Sequence, residues 1–148
     1  MSTVNEARAE SRQKMDSLLG ARKETLSLYS ELASLRPFKE VEDDVSVVLQ
    51  EFCETLMDYT ASAHFQLYRF IEDGTERREN IRNLAEKIYP NISETTEQFL
   101  DFNDKYEAEQ KGTHFSSLDH DLSSLGEILA DRILYEDQVI SAFTIPTK

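Results

Sequence analysis

Cysteine and tryptophan are almost missing from this 148-residue chain, which has one of the first, Cys53, and none of the second. A lone cysteine excludes an internal disulfide framework and fits a reducing compartment. Four glycines and three prolines leave no room for a Gly-rich phosphate loop and few interruptions for helices. There is no run of 18 apolar residues to span a membrane, and the polar N-terminus lacks the apolar core of a signal peptide. The expectation is a cytoplasmic, membrane-free single domain over residues 1–148, able to bury about 70% of its unfolded surface.

Basic residues are scarce in two places. The formal net charge is −13, from 29 acids and 16 bases. Residues 40–73 hold nine acids against Arg69 alone, and residues 116–143 hold six against Arg132 alone; elsewhere the two signs balance. Charged faces commonly just meet water. This asymmetry nevertheless argues against direct nucleic-acid binding, which needs cations for phosphates, and favours a basic partner.

What is present is helical periodicity. From Phe52 to Ile71 there is no Gly or Pro, and apolar residues recur at helical spacing. A 100° wheel places Leu49, Phe52, Leu56, Tyr59, Ala63, Leu67 and Phe70 on one stripe. Glu51, Glu54, Asp58, Phe65 and Arg69 fall on the other side. An aromatic ring among outward carboxylates has the character of an interface, with an apolar anchor and charges that steer a basic surface.

The remaining helices follow in order. Residues 1–14 are polar and expected to be frayed or loosely helical. Helix one carries Met15, Leu19, Arg22, Leu26, Tyr29 and Ala33 before Pro37 ends it. A second strip, Leu28, Leu32 and Leu35, is expected to pack on the loop that follows, with a partner surface as the alternative. Asp43 or Asp44 is expected to cap helix two, which should run to about Glu72, roughly 42 Å. Helix three has Ile81, Leu84, Ala85 and Ile88, then a break or kink near Pro90. There Asn91 and Glu94 resemble a capping box, and the helix resumes through Ile92, Thr96, Phe99, Phe102 and Tyr106. Ser116 or Ser117 should cap helix four, with Leu118, Leu122, Leu125, Leu129, Val139 and Phe143 inward. No strand alternation appears. The expected fold is all-α, an antiparallel up-down-up-down four-helix bundle.

Three charges stand on core stripes: Arg22 on helix one, and Arg132 and Glu136 on helix four. An unpaired buried ion costs several kcal/mol, so a buried polar network fixing register is expected. Arg132 and Glu136, at i,i+4, can pair directly; a pocket open to a small ligand is the functional alternative. Catalysis finds little support. The Glu-x-x-His pairs of di-iron bundles are absent, and His64, His114 and His120 have no second histidine at i+4. Neither a metal nor a cofactor is expected. Cys53 reads as packing rather than reactive. His64 as a phosphorylated histidine of a phosphotransfer module is the competing function, although the step after it, Phe65-Gln66-Leu67-Tyr68, lacks the Lys-Gly that such domains use.

The ordered motifs resemble one family. Arg22-Lys23-x-x-Leu26-x-x-Tyr29-x-x-Leu32 with Pro37-x-Lys39-Glu40 is similar to helix one and its exit in the Rsd/AlgQ family. Phe52-Cys53-x-x-Leu56-x-Asp58-Tyr59 with His64-Phe65-x-x-Tyr68 resembles that family's second helix, and Ile88-Tyr89-Pro90 its Ile-Trp/Tyr-Pro step. Gly126-Glu127, Arg132 and Glu136-Asp137 resemble its last helix. The likeness spans about residues 14–143. It implies a helical bundle that binds the C-terminal, −35-recognising domain of the housekeeping sigma factor, in competition with core RNA polymerase and DNA, as growth slows. It also implies the phosphocarrier HPr as a second partner of some members; a monomer is expected. By the same resemblance Asp58 is the central sigma-binding residue and Asp16 its helix-one companion; the outward strip of the wheel adds Glu51, Glu54 and Phe65 in support. Asp16-Ser17-Leu18-Leu19 stands where the family often has Asp-Arg-Trp-Leu, and Ser62-Ala63-His64 replaces Ala-Gly-His.

Overall fold

The computed structural model describes residues 2–64, 79–109 and 116–144. They form four helices and one 3-10 turn: α1 (Ser2–Ser34), the turn (Phe38–Glu40), α2 (Glu42–Ala63), α3 (Glu79–Glu109) and α4 (Leu118–Thr144). No strand occurs among the described residues. Backbone is helical from Ser2, through the segment expected to be frayed or loosely helical.

Cross-helix contacts run in opposite senses along three of the helix pairs. Arg22 meets Asp137 while Tyr29 meets Leu122, so α1 and α4 are antiparallel. Thr96 meets Arg132 while Lys105 meets Asp121, so α3 and α4 are too. Thr25 lies on Thr55 and Tyr29 on Phe52, which opposes α1 and α2. Phe52 packs edge-on to Phe102 at 6.0 Å, joining α2 to α3.

On α2 the buried stripe is Leu49, Phe52, Leu56, Tyr59 and Ala63, joined by Val45 and Cys53. Leu67, Phe70 and the expected run to Glu72 lie outside the described residues. The N-cap is Val41, with no side-chain cap; Glu42, Asp43 and Asp44 occupy the first turn instead. There all three carboxylates still meet the positive end of the helix dipole, so neither Asp43 nor Asp44 is needed as a cap.

The buried line of α1 is Leu18, Thr25 and Leu32, one position earlier than the expected stripe. Leu19 and Leu26 are only half-buried, and the Met15 side chain is outside those described. Thr25 explains the offset. Its hydroxyl bonds back to the Ala21 carbonyl at 2.9 Å, so a small polar side chain can occupy the contact with α2 without an unmet donor. Leu32 belongs to the main core, which also takes in Phe38 of the turn that follows, and Leu28 and Leu35 pack against it.

α3 continues through Pro90 with no break, and Asn91 sits inside the helix rather than capping a second one. Proline removes one bond to the carbonyl four residues back. Here both Pro90 and Glu86 are exposed, so water can take that carbonyl. Ile88, Ile92, Thr95, Phe99, Phe102 and Tyr106 face the core. At the start of α4, the Ser117 carbonyl accepts from the Asp121 N–H at 2.9 Å. Gly126 lets α1 approach α4: a Cβ there would stand 2.3 Å from the Tyr29 hydroxyl.

Candidate functional site

Two regions carry the chemistry. One is a polar lattice inside the bundle, and the other is the outer face of α2.

All three charges flagged on core stripes belong to the lattice. Arg132 is 1% exposed and Glu136 0%. Arg132 Nε donates to Glu136 Oε2 at 3.0 Å, as the i,i+4 spacing expects. Its Nη1 donates to Thr96 Oγ1 at 2.7 Å and to Thr95 Oγ1 at 3.2 Å, both on α3. The guanidinium also lies 5.3 Å from the Phe99 ring centre and 5.6 Å from that of Tyr59. The Tyr59 hydroxyl, from α2, donates to Glu136 Oε1. Arg22 Nη1, from α1, donates to Asp137 Oδ1 at 2.8 Å and stands 3.5 Å from Glu136 Oε1. One carboxylate therefore receives contacts from three helices, and its own guanidinium partner reaches the fourth.

Protonation follows from that packing. Burial pushes the Tyr59 phenol far up, and the Glu136 carboxylate adds to it, while Arg132 opposes. Tyr59 therefore remains a donor at any ordinary pH. Burial alone would weaken the Arg22 cation, but the hydrogen bond and charge of Asp137, then Glu136, outweigh it and raise its pKa. The lattice is a set of paired ions and hydroxyls that ties all four helices together. Sequence reasoning missed Tyr59, Thr95 and Asp137 as its partners. Tyr59 reads as core from its stripe, and only the paired Thr95-Thr96 hydroxyls within an apolar stripe hint at a buried donor opposite.

On the outer face of α2, Glu51, Glu54 and Asp58 are all exposed, and so is Asp16 on α1. Asp58 immediately precedes Tyr59, so its turn of helix is tied to α4 through Glu136. Phe65 and Arg69, assigned to the same strip, lie outside the described residues. His64 is half-buried at the C-cap of α2, where its N–H bonds to the Ala61 and Thr60 carbonyls.

Cys53 is buried, and burial, with smaller contributions from Glu107 and Glu54, pushes its thiol up to about 12. That fits packing and not nucleophilic chemistry. Among the described residues no group of three or more His, Cys, Asp or Glu could hold a metal ion, and no helix is long and apolar enough to cross a membrane.

Comparison with known proteins places this architecture. The family model described as "Regulator of RNA polymerase sigma(70) subunit, Rsd/AlgQ" matches residues 1–144. The chain is 32% identical over 133 residues to a regulator of sigma D from Yersinia pseudotuberculosis serotype O:1b (strain IP 31758), covering 88% of this chain and 79% of the relative. A regulator of sigma D from Yersinia pestis is 33% identical over 133 residues, with 88% and 79% covered. One from Pectobacterium atrosepticum is 30% identical over 136 residues, with 85% and 84% covered. No solved structure matches. A match over nearly the whole chain, on a four-helix scaffold with the motifs in order, settles the relationship: the protein belongs to the Rsd/AlgQ family of regulators of the RNA polymerase sigma(70) subunit.

Proposed function

We propose that this protein is a cytoplasmic, monomeric binding protein, not an enzyme, that captures the C-terminal, −35-recognising domain of the housekeeping sigma factor. Held in this way, the domain is withheld from core RNA polymerase and promoter DNA, and alternative sigma factors gain access to the enzyme. The observation that supports this reading best is the exposed carboxylate row Glu51, Glu54 and Asp58 on α2. A domain built to bind phosphates presents cations, and such a face attracts it over about a Debye length, roughly 8 Å at physiological salt. Asp58 is the central contact, with Asp16, Glu51 and Glu54 around it and Phe65 as the apolar anchor. The phosphocarrier HPr is a second partner for the same protein.

Titration of the isolated sigma domain tests the assignment. Asp58→Ala should weaken binding by about 2–5 kcal/mol if a buried cation loses its partner. The melting temperature should stay close to wild type, as for other exposed substitutions. Unchanged affinity in Asp58→Ala would remove this residue from the interface. Affinity indifferent to salt would remove the electrostatic argument altogether.

A further inference from the structure

A cleft of about 390 Å³ lies between α2 and α3, apart from the outer carboxylate row. Its walls are mostly apolar, from Met57, Ile92, Tyr89 and Leu100. That size and character fall at the small end of ligand pockets. Its polar groups decide what it can take. Thr60 Oγ1 donates to the Leu56 carbonyl at 2.8 Å, and Thr96 Oγ1 donates to the Ile92 carbonyl at 3.1 Å. Each hydroxyl hydrogen is spent on the helix backbone, and Thr96 Oγ1 in addition accepts from Arg132 at 2.7 Å. Thr60 is therefore the threonine whose oxygen is open to a donor in the cleft. The Ser93 hydroxyl and the His64 imidazole also line it. Glu97, exposed at the same cleft, adds an acceptor.

Arg132 also lines the cleft, but its charge is already met by Glu136 at 3.0 Å. An incoming anion would have to compete with a buried carboxylate while approaching Glu97.

We propose that the α2–α3 cleft is a binding site for a small neutral molecule with a ring-sized apolar body and one N–H or O–H donor. The ring lies against Met57, Tyr89 and Leu100, and the donor is received by Thr60 or Glu97. Indoles and phenols are the chemical class. This inference is independent of the sigma-factor reading, since it uses none of the residues of the carboxylate row.

The absence of tryptophan makes the test direct, because indole fluorescence can be followed against a chain that has none of its own. Titration of the whole protein with indole should give a saturable change with a dissociation constant of about a millimolar or below. N-methylindole, which keeps the ring and loses the donor, should bind about three- to tenfold more weakly, and Thr60→Val should weaken indole binding. Indole-3-carboxylate should also bind more weakly than indole. Ala61 and Ser93 are exposed residues on opposite walls. Ala61→Phe or Ser93→Phe should fill the cleft and abolish binding while leaving the melting temperature unchanged. The proposal is overturned by no saturable signal up to the solubility of indole, or by undiminished binding in a correctly folded filling variant. It is equally overturned if N-methylindole or the carboxylate matches or exceeds indole.

Discussion

Replacing Arg132 by Met keeps much of the side-chain volume and removes the cation that neutralises Glu136. Glu136 is fully buried, and its remaining partners are the Tyr59 hydroxyl and Arg22 at 3.5 Å. Breaking one side of a buried pair generally costs about 3–5 kcal/mol, because the other charge stays behind uncompensated. Arg22 is half-buried and already committed to Asp137 at 2.8 Å, so it can offset only part of this. The expected loss for Arg132→Met is therefore about 3 kcal/mol, and Glu136→Leu should lose a similar amount by stranding Arg132. The double variant Arg132→Met/Glu136→Leu leaves neither ion unpaired and should cost far less than the two losses added. A coupling of at least about 2 kcal/mol is expected, within the range seen for directly interacting residues. Equilibrium urea unfolding of the four proteins measures it. If either single variant unfolds within about 1 kcal/mol of wild type, or if the losses simply add, Arg132 and Glu136 do not form the coupled buried pair described above.

Three further outcomes follow from named contacts. Tyr59 ionises more readily in the unfolded chain, near pH 10, than in the fold, where its pKa is raised. Its contribution is intact below pH 10 and falls above it by up to about 1.4 kcal/mol per pH unit, so Tyr59→Phe should flatten the alkaline unfolding limb. Asp121 is depressed: burial pushes it up, but hydrogen bonds from Lys105 and Tyr106 prevail. Its stabilisation is therefore present above its unfolded value near 3.9 and is lost as pH falls through the lower folded value. Asp121→Asn should be destabilised at pH 7, with the gap closing in acid melts. Gly126→Ala drives a methyl into the Tyr29 hydroxyl and should cost about 1–3 kcal/mol in denaturant unfolding; a neutral result would mean that α1 and α4 separate easily.

The bundle was legible in the sequence because burial follows the 3.6-residue period wherever side chains are plainly apolar, as along α2. Reading failed where a residue's type misrepresents its surroundings. Thr25 looks polar, yet bonding to its own helix lets it sit at zero exposure, and this shifts the whole buried line of α1. Pro90 suggests a break or kink, yet the helix runs on through it, and the Glu86 carbonyl that loses its donor lies on an exposed face where water can reach it. The ions of the lattice could be flagged from the stripes, since a charge among leucines demands a partner. Which partners they find depends on how the four helices stand level with one another. Tyr59 against Glu136 and Thr95 against Arg132 are 77 and 37 positions apart in the chain. The carboxylate row on α2 was the converse case: outward direction is all that the period needs to supply.

Cys53 gives the molecule a built-in stopwatch. With its thiol pushed up to about 12 and its side chain packed away from solvent, a thiol-specific reagent has almost nothing to attack while α2 stays seated. Labelling of this single sulfur can then proceed only through moments when the packing parts, so its rate reads how often the interior opens. A bound partner that clamps α2 would slow that clock without touching the sulfur itself.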